Sequence, residues 1–146
     1  MNNTLLKLSN TCVGIQRTRV LTSTNYEGLT IISSTSGQGK NTLLSGIMQG
    51  LSKEDNLLIL TESRPEDAQS LVSNASCMIQ DYRNFVLDEV LSYLSSTDKN
   101  NIFIENYEGY MKSEERKLLD LQTLKEYCTY HNVNIYMCVH LRREKL

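Results

Sequence analysis

The sequence predicts a three-layer α/β protein: helices on the faces of a mainly parallel sheet of at least four strands. Three observations carry this. Short apolar runs at 29–32, 57–60, 102–104 and 133–139 alternate with stretches of helical spacing, and that alternation builds a parallel sheet covered by helices. The first run opens directly into a cluster of Ser, Thr and Gly, then Lys40, then a helical pattern (T-I-I-S-S-T-S-G-Q-G-K-N-T-L-L). The chain has 146 residues, 40% of them hydrophobic and 22% charged, which suits one domain with a real core.

Residues 1–27 are rich in Asn, Thr and Ser with short apolar patches, and are expected to form an irregular lead-in. Asn25, Tyr26, Glu27 and Gly28 read as a turn into the first strand. After Lys40, the residues Leu43, Leu44, Ile47, Met48 and Leu51 share one helix face. The run 57–60 is apolar throughout, as a fully buried parallel strand should be. Ser63 and Glu66 have capping-box spacing with Pro65 in the first turn, predicting a helix to about Ser73. Cys77 to Ile79 reads equally as a short strand or a helix start. Phe85, Val86, Val90, Leu91 and Leu94 predict a further helix, and 102–104 another buried strand ending in Glu105 and Asn106. Ser113 is placed to cap a long helix, with Glu114 and Glu115 at its positive end. Its expected apolar positions are Leu118, Leu121, Leu124 and Cys128, with Leu119 beside them, and it should end near His131 and Asn132. The last strand, 133–139, brings His140 to its C-terminal end.

In such a sheet ligands bind outside the carboxyl ends of the strands. The candidates are therefore residues 33–40, Thr61 and Glu62, Glu105 and Asn106, and His140. The order strand, small-residue loop, Lys, helix is how a phosphate-binding loop is made. Gly37 and Gly39 let successive N–H groups face an anion, the helix adds its positive end, and Lys40 adds a full charge. Ser36, Gly37, Gln38, Gly39, Lys40, Asn41 and Thr42 are the predicted nucleotide-binding set. Against G-x-x-x-x-G-K-[ST], Ser34 replaces the first glycine, and Asn41 replaces the hydroxyl residue that binds Mg²⁺. Thr42 follows it, so Asn41, Thr42 and Glu105 are the candidate metal ligands. An ordinary strand–turn–helix with a chance lysine is the plain alternative. Glu62 is placed either to orient a water or to cap the next helix. His140 is placed to touch the outer phosphate, although a lone strand-end histidine is more often structural.

The net charge of −2 gives no global basic field that would mark a nucleic-acid binder. No run approaches a membrane span and the first ten residues lack a signal-peptide pattern, so a cytoplasmic location without membrane partners is expected. The four cysteines show neither C-x-x-C pairing nor a histidine at zinc spacing, and read as reduced, partly buried thiols.

The stretches L-T-I-I-S-S-T-S-G-Q-G-K-N-T-L-L, N-L-L-I-L-T-E-S, I-F-I-E and V-N-I-Y-M-C-V-H-L-R-R resemble the RecA-like ring helicases of replication forks. The likeness is nearer to the phage primase–helicase and mitochondrial Twinkle branch, beside bacterial DnaB. It implies a RecA-like P-loop NTPase core lacking its C-terminal strands, one partial ATPase domain over 1–146, and ATP or another NTP with Mg²⁺ as cofactors. It implies an ATP-dependent, helicase-type enzyme of DNA replication, with Lys40, Glu62, Glu105 and His140 as catalytic positions. The implied partners are nucleotide, single-stranded DNA through another subunit, and a homo- or hetero-oligomeric ring. The implied setting is intracellular, phage-encoded in a host cell or in an organellar matrix. Gly37, Gly39, Lys40 and His140 match the pattern, and that branch tolerates Ser34. Asn41 departs from it, the catalytic glutamate falls on Thr61 with Glu62 one residue later, and the Walker B aspartate falls on Glu105. The family's later strands, DNA-binding loops and arginine finger would lie beyond His140. With these changes hydrolysis is expected to be weak or partner-dependent. The competing reading is a non-catalytic nucleotide-binding or structural module derived from a helicase core. An unrelated P-loop kinase is a third, weaker reading, since no arginine-rich lid segment is present.

Overall fold

A computed structural model describes residues 21–26, 28–34, 39–81, 87–107 and 113–140. The elements are β1 (Leu21–Tyr26), β2 (Leu29–Ser34), α1 (Lys40–Gln49), β3 (Asn56–Leu60), α2 (Gln69–Val72), β4 (Cys77–Gln80), α3 (Leu87–Ser95), β5 (Asn101–Tyr107), α4 (Glu114–His131) and β6 (Asn134–His140). They form one six-stranded sheet in the order β1-β2-β6-β5-β3-β4. The five strands from β2 to β4 in that order are parallel, and β1 lies antiparallel on the β2 edge.

Side chains alternate across the strands and divide the core in two. Leu57, Ile59, Ile102, Ile104, Ile135 and Met137 meet Val90 and Leu94 of α3 and Leu124 and Cys128 of α4. Ile32, Leu58, Leu60, Phe103, Tyr136 and Cys138 meet Leu44 and Met48 of α1 and Leu71 of α2. Phe103 and Tyr136, opposite each other in register, stack with centroids 4.8 Å apart. The sheet is thus covered on both faces, the reason its central strands are apolar throughout.

Several expectations hold. The α1 face is as read, with Leu44 and Met48 buried and Leu43, Ile47 and Leu51 packed beside them. Ser113 caps α4, its side chain accepting from the Arg116 N–H. Asn132 ends that helix with φ 54, a left-handed cap that an asparagine tolerates.

Others need correction. The lead-in is not irregular up to residue 27, because 21–26 pair with β2 as an edge strand. L-T-S-T-N-Y carries no two-sided apolar signal; it is held by the hydrogen bonds of its neighbour. Gly28 takes φ 103, where a Cβ would meet the Cys128 Cβ at 3.0 Å. The expected helix to Ser73 is a 3-10 turn (Pro65–Asp67) and a single α-turn, α2, and Ser63 does not cap it. Only Ala68 and Leu71 are buried there, and a short turn seats both. The open choice at Cys77 resolves as strand β4. Phe85 and Val86 of the predicted third helix lie outside the described residues. On α4 the buried arc is Asp120, Leu124 and Cys128, while Leu118 and Leu119 are 59% and 49% exposed. At 100° per residue Leu119 faces away from Leu124, and Asp120 is accepted inside because the buried Tyr107 hydroxyl donates to it at 2.7 Å.

The N-terminal ends of the parallel strands carry a side-chain ladder that the sequence reading did not find. Asn134 Nδ2 donates to Asn101 Oδ1, and Asn101 Nδ2 to Asn56 Oδ1 at 3.2 Å. Asn56 Nδ2 closes the chain on the carbonyls of Met48 and Asn74. Among the described residues no helix is long and apolar enough to cross a membrane.

Candidate functional site

The connections decide where a ligand can sit. From β3 the chain runs outward to β4 by way of α2, on one face; from β5 it runs inward to β6 by way of α4, on the other. The chain therefore parts between the C-terminal ends of β3 and β5, which leaves a crevice. Thr61, Glu62 and Ser63 form its β3 side, and Glu105 and Asn106 its β5 side.

Glu105 spans the crevice. Its Oε1 accepts from three successive backbone N–H groups, Thr61 at 3.1 Å, Glu62 at 3.0 Å and Ser63 at 2.9 Å. The residue is only 3% exposed. Three converging amides make an anion nest, and here the protein's own carboxylate fills it. Thr61 adds a stitch: its hydroxyl donates to the Asn106 carbonyl at 2.6 Å and accepts from the Asn106 N–H at 3.0 Å. These bonds fall where the β5–β6 register slips between Ile104 and Tyr107. Such irregularities re-aim side chains next to sites.

Lys40 opens α1 behind Gly39, which takes φ 93. Glycine adopts that left-handed angle without strain. The helix start has no acidic residue in its first turn and no side-chain cap, so its orphan N–H groups and positive end are offset by no side chain of the helix's own. Lys40 is 5% exposed. Its Nζ donates to Asn106 Oδ1 at 3.1 Å, and no carboxylate among the described residues comes within ion-pair distance. Asn106 Nδ2 donates in turn to Glu62 Oε2 at 2.9 Å. Lys40, Asn106 and Glu62 thus form one hydrogen-bonded chain across the strand ends.

The structure brings Lys40, Glu62 and Glu105 together, with Asn106 between the first two. Asn106 was in the strand-end set, but nothing in its residue type assigned it a role. Asn41 is half-buried, and Thr42 lies on the exposed side of α1 with Gly46 and Gln49. Ser36, Gly37 and Gln38 lie outside the described residues. The backbone of His140 is level with Ser34 across the β2–β6 pair, at the same end of the sheet; its side chain is outside the described set. Among the described residues no group of three or more His, Cys, Asp or Glu stands at metal-ligating spacing. Magnesium commonly takes one or two carboxylates and completes its shell with phosphate and water, and Glu62 and Glu105 are the acids at hand.

Cys138 lies beneath this site with no exposure. Burial pushes its thiol up to about 12; nearby Lys40 lowers it and Glu105 raises it. It is an inert, protonated neighbour. An open cleft of about 750 Å³ lies elsewhere, along the C-terminal half of α4, lined by Leu91, Tyr127, Tyr130 and His131 and by none of the candidate residues. The chain matches no protein-family model, no curated protein and no solved structure.

Proposed function

We propose that this chain is an ATP-binding, DNA-helicase-like P-loop module of DNA replication, weak or partner-dependent in hydrolysis. The observation that carries the reading is Lys40. A buried ammonium whose described partner is one neutral amide is costly to keep. It stands at a helix N-terminus with no side-chain cap among the described residues, behind a glycine in the left-handed region, and an anion placed there would offset both charges. The triphosphate of a nucleotide, entering over Ser36, Gly37, Gln38 and Gly39, is the ligand that the motif and the helicase resemblance together favour. Mg²⁺ would neutralise charge on the phosphates when bound. Glu62, exposed beyond the end of β3, would hold a water, and His140 ends β6, the strand paired with β2.

One observation favours the second reading, a nucleotide-binding module without turnover. Glu105 Oε1 is already committed to three amides, which ties that acid to the shape of the crevice.

The test uses purified protein, a fluorescent ATP analogue with and without Mg²⁺, and turnover with and without single-stranded DNA. Binding that Lys40→Ala weakens at least tenfold, with turnover, supports the enzyme. Binding without turnover supports the module, and no binding refutes both.

A further inference from the structure

We propose that Asn106 is a positioning residue coupling Lys40 to Glu62. It holds the Glu62 carboxylate while the lysine lacks an anion and frees it when a phosphate takes the lysine. This rests on the phosphate-binding reading above.

The chemistry of the three groups fixes the arrangement. An ammonium only donates and a carboxylate only accepts. The Asn106 atom 3.1 Å from Lys40 Nζ must therefore be Oδ1, and the atom 2.9 Å from Glu62 Oε2 must be Nδ2. A carboxamide of this length is suited to bridge the two. Aspartate at this position would accept from the lysine but could not donate to Glu62, and leucine would do neither.

The backbones on both sides are pinned, so the coupling must run through side chains. Thr61 holds the Asn106 N–H and C=O, and Glu105 holds the amides of Thr61, Glu62 and Ser63. A phosphate reaching Lys40 offers charged acceptors, which bind an ammonium more strongly than a neutral amide does. Asn106 Oδ1 then loses the ammonium that polarises its amide, and the bond from its Nδ2 to Glu62 weakens. Glu62 is exposed at the crevice mouth and is free to accept from a water instead. Coupling is reciprocal: if phosphate on Lys40 loosens Glu62, removing Glu62 must change phosphate affinity, and chiefly through Asn106.

The experiment titrates inorganic tripolyphosphate by calorimetry into the full chain. The proteins are wild type, Glu62→Ala, Asn106→Asp, Asn106→Leu and the two double variants, each checked by its melting curve. Glu62→Ala is expected to tighten tripolyphosphate binding about tenfold in the wild-type background, within the usual range for coupled sites. In either Asn106 background the factor should fall to about two, the residue of charge repulsion through water. The same factor in all backgrounds would overturn the coupling, and so would no effect of Glu62→Ala in wild type. If the leucine variant does not fold, the shape-conserving aspartate variant decides. Absence of any Lys40-dependent binding in wild type is a different result: it removes the phosphate site itself, and the coupling with it.

Discussion

Replacing Glu105 tests whether this acid builds the crevice or serves a metal. In Glu105→Ala three amides lose their common acceptor, at 2.9, 3.0 and 3.1 Å. A hydrogen bond to a charged group contributes about 1.5–3 kcal/mol. The three share one oxygen, and the Glu62 and Ser63 amides are only partly buried, so simple addition overstates the loss. An expected loss of about 3–5 kcal/mol follows, a large part of the roughly 5–15 kcal/mol that holds a domain together. Glu105→Gln keeps an oxygen acceptor but not its charge, and should lose about 1–2 kcal/mol. Urea unfolding followed by circular dichroism, with chelator present, measures both. The midpoint should fall by about 1.5–3 M for Glu105→Ala with its slope unchanged. An acid kept chiefly as a metal ligand would behave oppositely, since its removal in metal-free buffer is neutral or stabilising. A loss under about 1 kcal/mol would refute the structural role.

Other consequences follow from packing and ionisation. Phe103→Ala, at a position with no exposure and stacked on Tyr136, should cost about 3–5 kcal/mol, whereas Leu119→Ser on the exposed side of α4 should stay within about 0.5 kcal/mol in the same melts. Asn101→Ala breaks the ladder at its middle and leaves the buried Asn56 Oδ1 without that donor, a loss of about 1–3 kcal/mol by thermal unfolding. Burial raises the Cys128 and Cys138 thiols from 9.0 to about 12. A raised folded value means their contribution is intact below pH 9 and lost as pH rises towards 12. Each thiol should therefore lower stability by about 1.4 kcal/mol per pH unit across that window. Denaturant melts from pH 8 to 11 measure the slope, which Cys138→Ala should reduce by one thiol's share; an unchanged slope would contradict the assignment.

What could be read before the fold was known is what local chemistry dictates. The strand before the Ser, Thr and Gly cluster and the helix from Lys40 followed from composition and spacing, as did the buried β3 and the capped α4. The edge strand β1 was missed because Thr22, Ser23, Thr24 and Asn25 are held by pairing to β2, a contact with no periodic signal. Leu118 and Leu119 were misplaced because hydrophobicity was counted without the partner that lets Asp120 go inside, the Tyr107 hydroxyl thirteen residues away. Glu105 was found by its position, but its bonds to Thr61, Glu62 and Ser63 depend on two strands meeting that are more than forty residues apart in sequence. Asn106 entered the candidate set by its strand-end position, and nothing in its residue type assigned it a role. Its bond to Lys40 joins residues 66 apart in sequence, beside the register slip between Ile104 and Tyr107.

The central claim, that Lys40 awaits a phosphate, meets its most direct test in calorimetric titration of ATP into wild type and Lys40→Met in metal-free buffer. The account predicts saturable binding by wild type and binding at least tenfold weaker in Lys40→Met, whose stability is unchanged or higher because a buried charge has gone. Equal binding by the two proteins, or none by wild type, would contradict it.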